Sequence, residues 1–165
     1  MKNKRYILGI DPALNRTGWG IITAENNNLS YIASGIIDAK KIDNLPDKIS
    51  KIYGELNKVI IEYKPKEAAI EEIFVNKNPL TSMKLGHARG AAIISCMENN
   101  LAVSEYATNK IKKTICGQGK GEKQQVAMMV KVLLPQAEFY YDDESDALAA
   151  AICHSQQINI SCNSF

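Results

Sequence analysis

The sequence predicts an α/β protein in which a five-stranded mixed sheet is flanked by helices. Three apolar, β-type segments separated by short turns come first, and this succession indicates an antiparallel meander. Segments with helical periodicity then alternate with short apolar strands, which is typical of parallel strands joined by crossover helices. The length of 165 residues and the apolar content of 45% suit one domain. We expect that domain to occupy residues 1–155, followed by a polar tail over residues 156–165.

The predicted strands are short and rich in apolar and β-branched residues. They cover residues 6–10, 18–23, 29–37, 68–70 and 101–106. The first helix should begin near Pro46 and end before Pro65, because apolar residues recur between these prolines at helical spacing. Four further helices are predicted: from Thr81 or Ser82 to Asn99 or Asn100, over residues 109–115, over residues 122–134, and from the acidic segment 142–144 to about His154.

Carboxylates stand at the ends of two predicted strands. Asp11 ends the run 6–10 and Glu71 ends the run 68–70, and a right-handed crossover would bring both to one edge of the sheet. Asp143 and Asp146 lie three residues apart before an alanine-rich segment. Hard divalent ions take oxygen ligands, so four converging carboxylates predict a site for two Mg²⁺ ions that carry out phosphoryl displacement.

Each acid also has a structural explanation. Asp11 precedes a proline and could be a turn residue. Asp143 could be the N-cap of the last helix, with Asp146 as its acidic partner. Asp142 or Glu144 could also stand in the place that we assign to Asp143.

The net charge of +2 does not by itself indicate a nucleic-acid partner, but its distribution is uneven. We call residues 110–123 the basic segment, because they include a single acid, Glu122, and five lysines: Lys110, Lys112, Lys113, Lys120 and Lys123. The four cysteines show no C-x-x-C spacing, which argues against a zinc site and favours reduced thiols. The absence of a cleavable or spanning apolar segment leads us to expect a cytoplasmic protein.

Four segments together resemble the RuvC family of bacterial Holliday-junction resolvases, which have the ribonuclease-H-like fold. They are the strand and turn ending in Asp11-Pro12 with the Thr17-Gly18-Trp19-Gly20 that follows, the strand 69–74 containing Glu71, the helical segment 84–90, and the acidic segment 143–149. The resemblance runs in order from about Tyr6 to His154. Carried over by position, it makes Asp11, Glu71, Asp143 and Asp146 the metal-binding acids.

The same resemblance implies roles for residues outside the acids. Lys112 and Lys123 match two functionally important lysines near the scissile phosphate, and Phe74 matches an aromatic residue that contacts unstacked bases. Lys110, Lys113 and Lys120 would then be ordinary DNA contacts. The resemblance further implies a Mg²⁺-dependent endonuclease, with Mn²⁺ as a substitute, that makes paired nicks in four-way DNA junctions during DNA recombination and repair. Its partners would be a second copy of the chain and the branch-migration proteins RuvA and RuvB.

Two other functions remain open from the sequence. The hairpin from Asp11 to Gly18 resembles the phosphate-binding hairpin of actin-like and sugar kinases, although that class needs two such domains. The second alternative is a protein that binds DNA structures without catalytic activity, and the presence of all four acids argues against it. Serine-hydrolase and P-loop functions are excluded, because neither G-x-S-x-G nor a Gly-Lys-Ser/Thr ending occurs.

Overall fold

A computed structural model describes residues 4–72, 78–119 and 121–162. Its centre is a five-stranded mixed sheet, which confirms the predicted fold class. In chain order the strands are β1 (Arg5–Asp11), β2 (Arg16–Glu25), β3 (Asn28–Asp38), β4 (Glu67–Glu72) and β5 (Ala102–Ala107). The spatial order is β3-β2-β1-β4-β5. Strand β2 is antiparallel to both β3 and β1, and β4 is parallel to both β1 and β5.

The helices lie on both faces of this sheet. They are α1 (Leu45–Tyr63), α2 (Pro79–Glu98), α3 (Thr108–Cys116), α4 (Lys123–Leu133) and α5 (Asp142–Cys162). One core layer packs α1 and α2 against Leu8, Ile10 and Ile70. The other packs α3, α4 and α5 against Ile7 and Ala69, so the alternating side chains of each strand feed the two layers in turn. None of the described helices is long and apolar enough to cross a membrane.

Helix boundaries differ from the sequence predictions by more than one residue at two places. Helix α2 begins at Pro79, because Asn78 accepts hydrogen bonds from the backbone N–H groups of Leu80 and Thr81 and thereby caps the first turn. Helix α5 continues to Cys162, so the prediction that it ends near His154 is wrong. No glycine or proline interrupts the chain between Asp142 and Cys162, and such a break is what normally ends a helix.

Candidate active site

The edge of the sheet at the ends of β1 and β4 brings the first two acids together. Ile10 pairs with Ile70 across the parallel ladder, so Asp11 and Glu71 follow one residue later on neighbouring strands. Side chains alternate along a strand, and both acids share their face with Ile7 and Ala69, which pack against α5. The predicted juxtaposition of Asp11 and Glu71 is therefore present, on the face of the sheet that α5 covers.

Helix α5 approaches this edge closely because glycines line the sheet beneath it. A Cβ atom at Gly18 would lie 1.9 Å from the carbonyl oxygen of Asp143, and one at Gly9 would lie 1.9 Å from that of Ala147. Neither contact is possible for a residue with a side chain. Gly9 and Gly18 thus let the helix backbone rest directly on β1 and β2, and this contact positions Asp143 and Asp146 opposite Asp11.

Burial and the three other acids all affect the ionisation of Asp11. Burial, followed by the charges of Glu71, Asp146 and Asp143, holds the pKa of Asp11 well above its ordinary value. Burial likewise raises the pKa of Asp146 to about 6, although Lys123 opposes the shift. We call Asp11, Glu71, Asp143 and Asp146 the acid cluster, because each of the other three acts on the charge of Asp11.

Each of the three acids around Asp11 has a partner of its own. Glu71 accepts a 2.5 Å hydrogen bond from the hydroxyl of Thr108. One oxygen of Asp143 lies 3.4 Å from a terminal guanidinium nitrogen of Arg16, and one of Asp146 lies 3.6 Å from Nζ of Lys123. Within residues 4–72, 78–119 and 121–162, no group of three His, Cys, Asp or Glu side chains has the spacing of a preformed metal site. The four acids therefore interact electrostatically, while Glu71, Asp143 and Asp146 each pair with a neighbouring donor.

Two acids that the sequence left as alternatives have different positions. Glu144 is buried and turned away from the cluster, where it accepts hydrogen bonds from the Ser34 hydroxyl at 2.9 Å and from the backbone N–H groups of Tyr140 and Tyr141 at 3.0 and 3.1 Å. Asp142 is exposed at the start of α5. The structure therefore gives Glu144 a capping role at the first turn of α5 and leaves Asp143 as the acid that faces Asp11.

The lysines of the basic segment differ in their relation to the acid cluster. The charges of Asp146 and, more weakly, Asp11 raise the pKa of Lys123, which is the first residue of α4. Lys112 lies half-buried on α3 and forms no ion pair with an acid among the described side chains. Lys113 is exposed on the same helix, and Nζ of Lys110 lies 5.2 Å from the ring centre of Tyr106. Lys120 and Phe74 fall outside the described residues.

Sequence reasoning missed two residues that contact the acid cluster. Arg16 opens β2, and Thr108 is the first residue of α3, directly after β5. Their contacts span 127 and 37 positions of the chain, so no local pattern indicates them. The available signal for Thr108 was topological, since β5 lies parallel to β4 and ends at the same edge as Glu71.

His154, to which the sequence assigned no role, is buried in a network beneath the sheet. Its Nδ1 lies 2.7 Å from the Tyr106 hydroxyl and its Nε2 lies 2.8 Å from Glu67. Glu67 in turn receives two hydrogen bonds from Arg5, at 2.8 and 2.9 Å. Burial holds the pKa of His154 below its usual value. A neutral ring would accept from Tyr106 and donate to Glu67, which ties α5 to β1, β4 and β5.

The arrangement of the site agrees with comparisons to known proteins. The sequence model described as crossover junction endodeoxyribonuclease RuvC matches residues 7–154. The chain belongs to the RuvC family. RuvC proteins of Brucella anthropi and Rhizobium johnstonii are 48% and 46% identical to it over 155 residues, which cover 94% of this chain and 90% and 92% of theirs.

A solved RuvC structure has the same fold. Thermus thermophilus RuvC in complex with a Holliday junction substrate superposes with a TM-score of 0.88, covering 95% of this chain and 96% of the other at 23% identity. The acid cluster of this chain therefore sits at the sheet edge of a RuvC-type nuclease fold.

Proposed function

We propose that the protein is a metal-dependent endonuclease that resolves Holliday junctions by paired nicks in DNA recombination and repair. The observation that carries the proposal is the acid cluster, which joins the ends of β1 and β4 to the first turn of α5 in a chain of the RuvC family. We further propose that it works in the cytoplasm, where bacterial chromosomal DNA lies.

The donor set of the cluster suits Mg²⁺, with Mn²⁺ as a substitute. Carboxylate oxygens are the ligands that hard divalent ions prefer. Asp11, Glu71, Asp143 and Asp146 would hold two such ions. Burial first, and then the charges of the three neighbouring carboxylates, raise the pKa of Asp11, and bound cations would offset both effects. The chemistry supplied by the bound ions is activation of water for attack on phosphorus and stabilisation of the leaving 3′ oxygen.

Residues of this chain would position and stabilise the reacting phosphate. Lys123 stands beside Asp146 with most of its side chain exposed, so its ammonium group is available to the charge that develops on the phosphate. We assign Lys112 the second such role on the resemblance of its position to the family pattern. Thr108 would fix the orientation of Glu71 through its hydrogen bond.

The surface around the cluster would bind the junction. Lys110 and Lys113 are exposed on α3 and would contact phosphates without regard to sequence. Lys120 is assigned the same role, and Phe74 is assigned to stacking on unpaired bases, from their positions in the sequence alone.

A second copy of this chain is the partner that the surface of α2 favours. Large apolar side chains on this helix are exposed at helical spacing and form what we call the α2 stripe: Leu80, Met83, Ile94 and Met97. Space is open above Gly86 and Gly90 of the same helix, which would let another backbone approach. A homodimer would bury this surface and supply two active sites for two cuts. RuvA and RuvB are further proposed partners, on family membership.

The experiment that tests the proposed function compares a labelled four-way junction with a linear duplex of matched sequence. We expect Mg²⁺ to support paired nicks in the junction and little cleavage of the duplex, and Ca²⁺ to support binding without cleavage. Binding of the junction without cleavage in either Mg²⁺ or Mn²⁺ would favour the non-catalytic DNA binder instead. A nucleotide-binding assay distinguishes the kinase alternative.

A further inference from the structure

Arg16 has more hydrogen-bonding capacity than its surroundings in the structure use. An arginine side chain offers five N–H donors. In the part of the chain that the structure describes, one terminal nitrogen of Arg16 reaches Asp143 at 3.4 Å, and the buried Nε has no partner. The guanidinium carbon lies over the ring of Tyr141, 4.5 Å from its centre, in a cation–π contact. These two contacts hold the side chain beside the acid cluster, and they leave N–H donors of the guanidinium group unused.

The contact between Arg16 and Asp143 occupies a carboxylate that the proposed metal would need. A divalent ion and a guanidinium compete for the same oxygens, and the ion carries twice the charge. Arg16 would lose Asp143 as a partner when metal binds, while its stacking on Tyr141 would continue to hold it at the mouth of the site. A planar guanidinium with free terminal nitrogens matches the geometry of a phosphate group.

We propose that Arg16 neutralises Asp143 in the metal-free protein and transfers to a phosphate of the bound DNA when metal enters the site. The inference rests on the proposed metal and junction binding, and it gives Arg16 two opposite effects. Its charge weakens the binding of metal to the free protein, and it strengthens the binding of DNA. A residue that only supported the fold would affect both affinities in the same direction.

The test measures two affinities in Arg16→Gln. We expect the DNA-free variant to bind Mn²⁺ about two- to fivefold more tightly than wild type, as followed by electron paramagnetic resonance, because a nearby positive charge has been removed. We expect its affinity for a four-way junction in Ca²⁺ to fall about three- to tenfold, with the salt slope reduced by about one. Lys58→Gln removes an exposed charge on α1 and should change neither affinity.

Arg16→Lys keeps the charge but loses the flat, two-pronged donor group. It should bind Mn²⁺ like wild type and bind the junction less tightly, and it also serves if Arg16→Gln fails to fold. Unchanged Mn²⁺ and junction affinities in a folded Arg16→Gln, or a joint loss of both, would overturn the role proposed for Arg16 but not the proposed function. Wild-type protein that binds neither Mn²⁺ nor the junction would overturn the proposed function together with it.

Discussion

Asp11 combines burial with the charges of three neighbouring carboxylates, and both effects raise the pKa of its side chain. A carboxyl group whose ionised form is disfavoured by the fold lowers the stability of the folded state at neutral pH. Cations that bind only the folded arrangement would offset that cost. Metal binding at the acid cluster would therefore be linked to the stability of the fold.

We expect Asp11→Asn to weaken this linkage. Without metal the variant should melt at least as high as wild type, because a disfavoured charge is gone. Millimolar Mg²⁺ or Mn²⁺ should raise the melting temperature of wild type more than that of the variant. Thermal unfolding followed by circular dichroism measures both, and equal shifts in the two proteins would contradict a metal site that includes Asp11.

Variants of Lys123 and Lys113 should distinguish stabilisation of the transition state from simple DNA binding. Lys123 lies at the cluster, so Lys123→Ala should slow single-turnover cleavage at saturating protein more than it weakens binding in Ca²⁺. Lys113→Ala should weaken binding, reduce the salt slope by about one unit or less, and cleave normally once saturated. We expect Lys112→Ala to behave like Lys123→Ala. A wild-type rate for saturated Lys123→Ala would make that residue only an electrostatic contact.

The residues of the site divide into those that a sequence reveals and those that only a fold reveals. A charge at the end of an apolar strand is conspicuous, because burial of an unpaired carboxylate is costly, and this indicated Asp11 and Glu71. Arg16 and Thr108 sit at element boundaries where polar residues are ordinary. Their roles come from partners that the topology brings close, and no spacing rule encodes those partners.

At the scale of elements, α5 carries half of the acid cluster and is attached to the sheet in two ways. The glycines of β1 and β2 let it lie close, and the network of Arg5, Glu67, Tyr106 and His154 fixes it further along its length. The low pKa of His154 means that its protonation opposes folding. Because the unfolded chain takes up this proton more readily, stability should fall as pH drops through and below about 6.5.

We therefore expect His154→Gln to lower the free energy of unfolding by about 1–3 kcal/mol at pH 7.5, through the loss of buried hydrogen bonds. The variant should also lose less stability than wild type between pH 7.5 and pH 5.5, since it no longer titrates there. Tyr106→Phe removes one hydrogen bond and keeps the histidine, so it should retain the pH dependence. Chemical denaturation at both pH values checks this, and identical pH dependence in His154→Gln and wild type would contradict the role of the histidine.

Element boundaries were harder to predict than elements. Strands 6–10 and 68–70 were recognisable from apolar runs, and α1 from its periodicity and prolines. The prediction for α5 ends eight residues too early, because the composition after His154 is polar although nothing there breaks a helix. Composition describes what a segment buries, whereas helix ends depend on caps and breakers.

At the scale of the whole molecule, the connection from β1 to β4 accounts for the position of the site. A meander followed by parallel strands with crossover helices allows few arrangements, and the predicted meander and the parallel pairing of β4 with β1 are both present. The same arrangement leaves the α2 stripe on the outer surface, where an isolated domain would expose it to water. We therefore expect the α2 stripe to be covered by the proposed second copy of the chain.

We expect the protein to be a dimer in sedimentation-velocity experiments, and Met83→Glu to dissociate it by placing a charge in the α2 stripe. Val132 is about equally exposed, at 62% against 61%, but lies on α4 across the sheet. Val132→Glu should therefore remain dimeric. A monomeric wild type, or identical behaviour of the two variants, would count against the α2 interface.

The acid cluster is proposed to perform metal-dependent cleavage of a DNA junction. The most direct measurement is the nicking of a labelled four-way junction in Mg²⁺ by Asp146→Asn, together with its junction affinity in Ca²⁺. We predict that nicking falls by a factor of about 100 or more while affinity stays the same or increases, because a metal ligand and a charge that repels phosphate are both removed. Asp142→Asn, an exposed neighbour on the same helix, should nick like wild type. Wild-type nicking by Asp146→Asn, or loss of binding in parallel with cleavage in the folded variant, would contradict this role of the acid cluster.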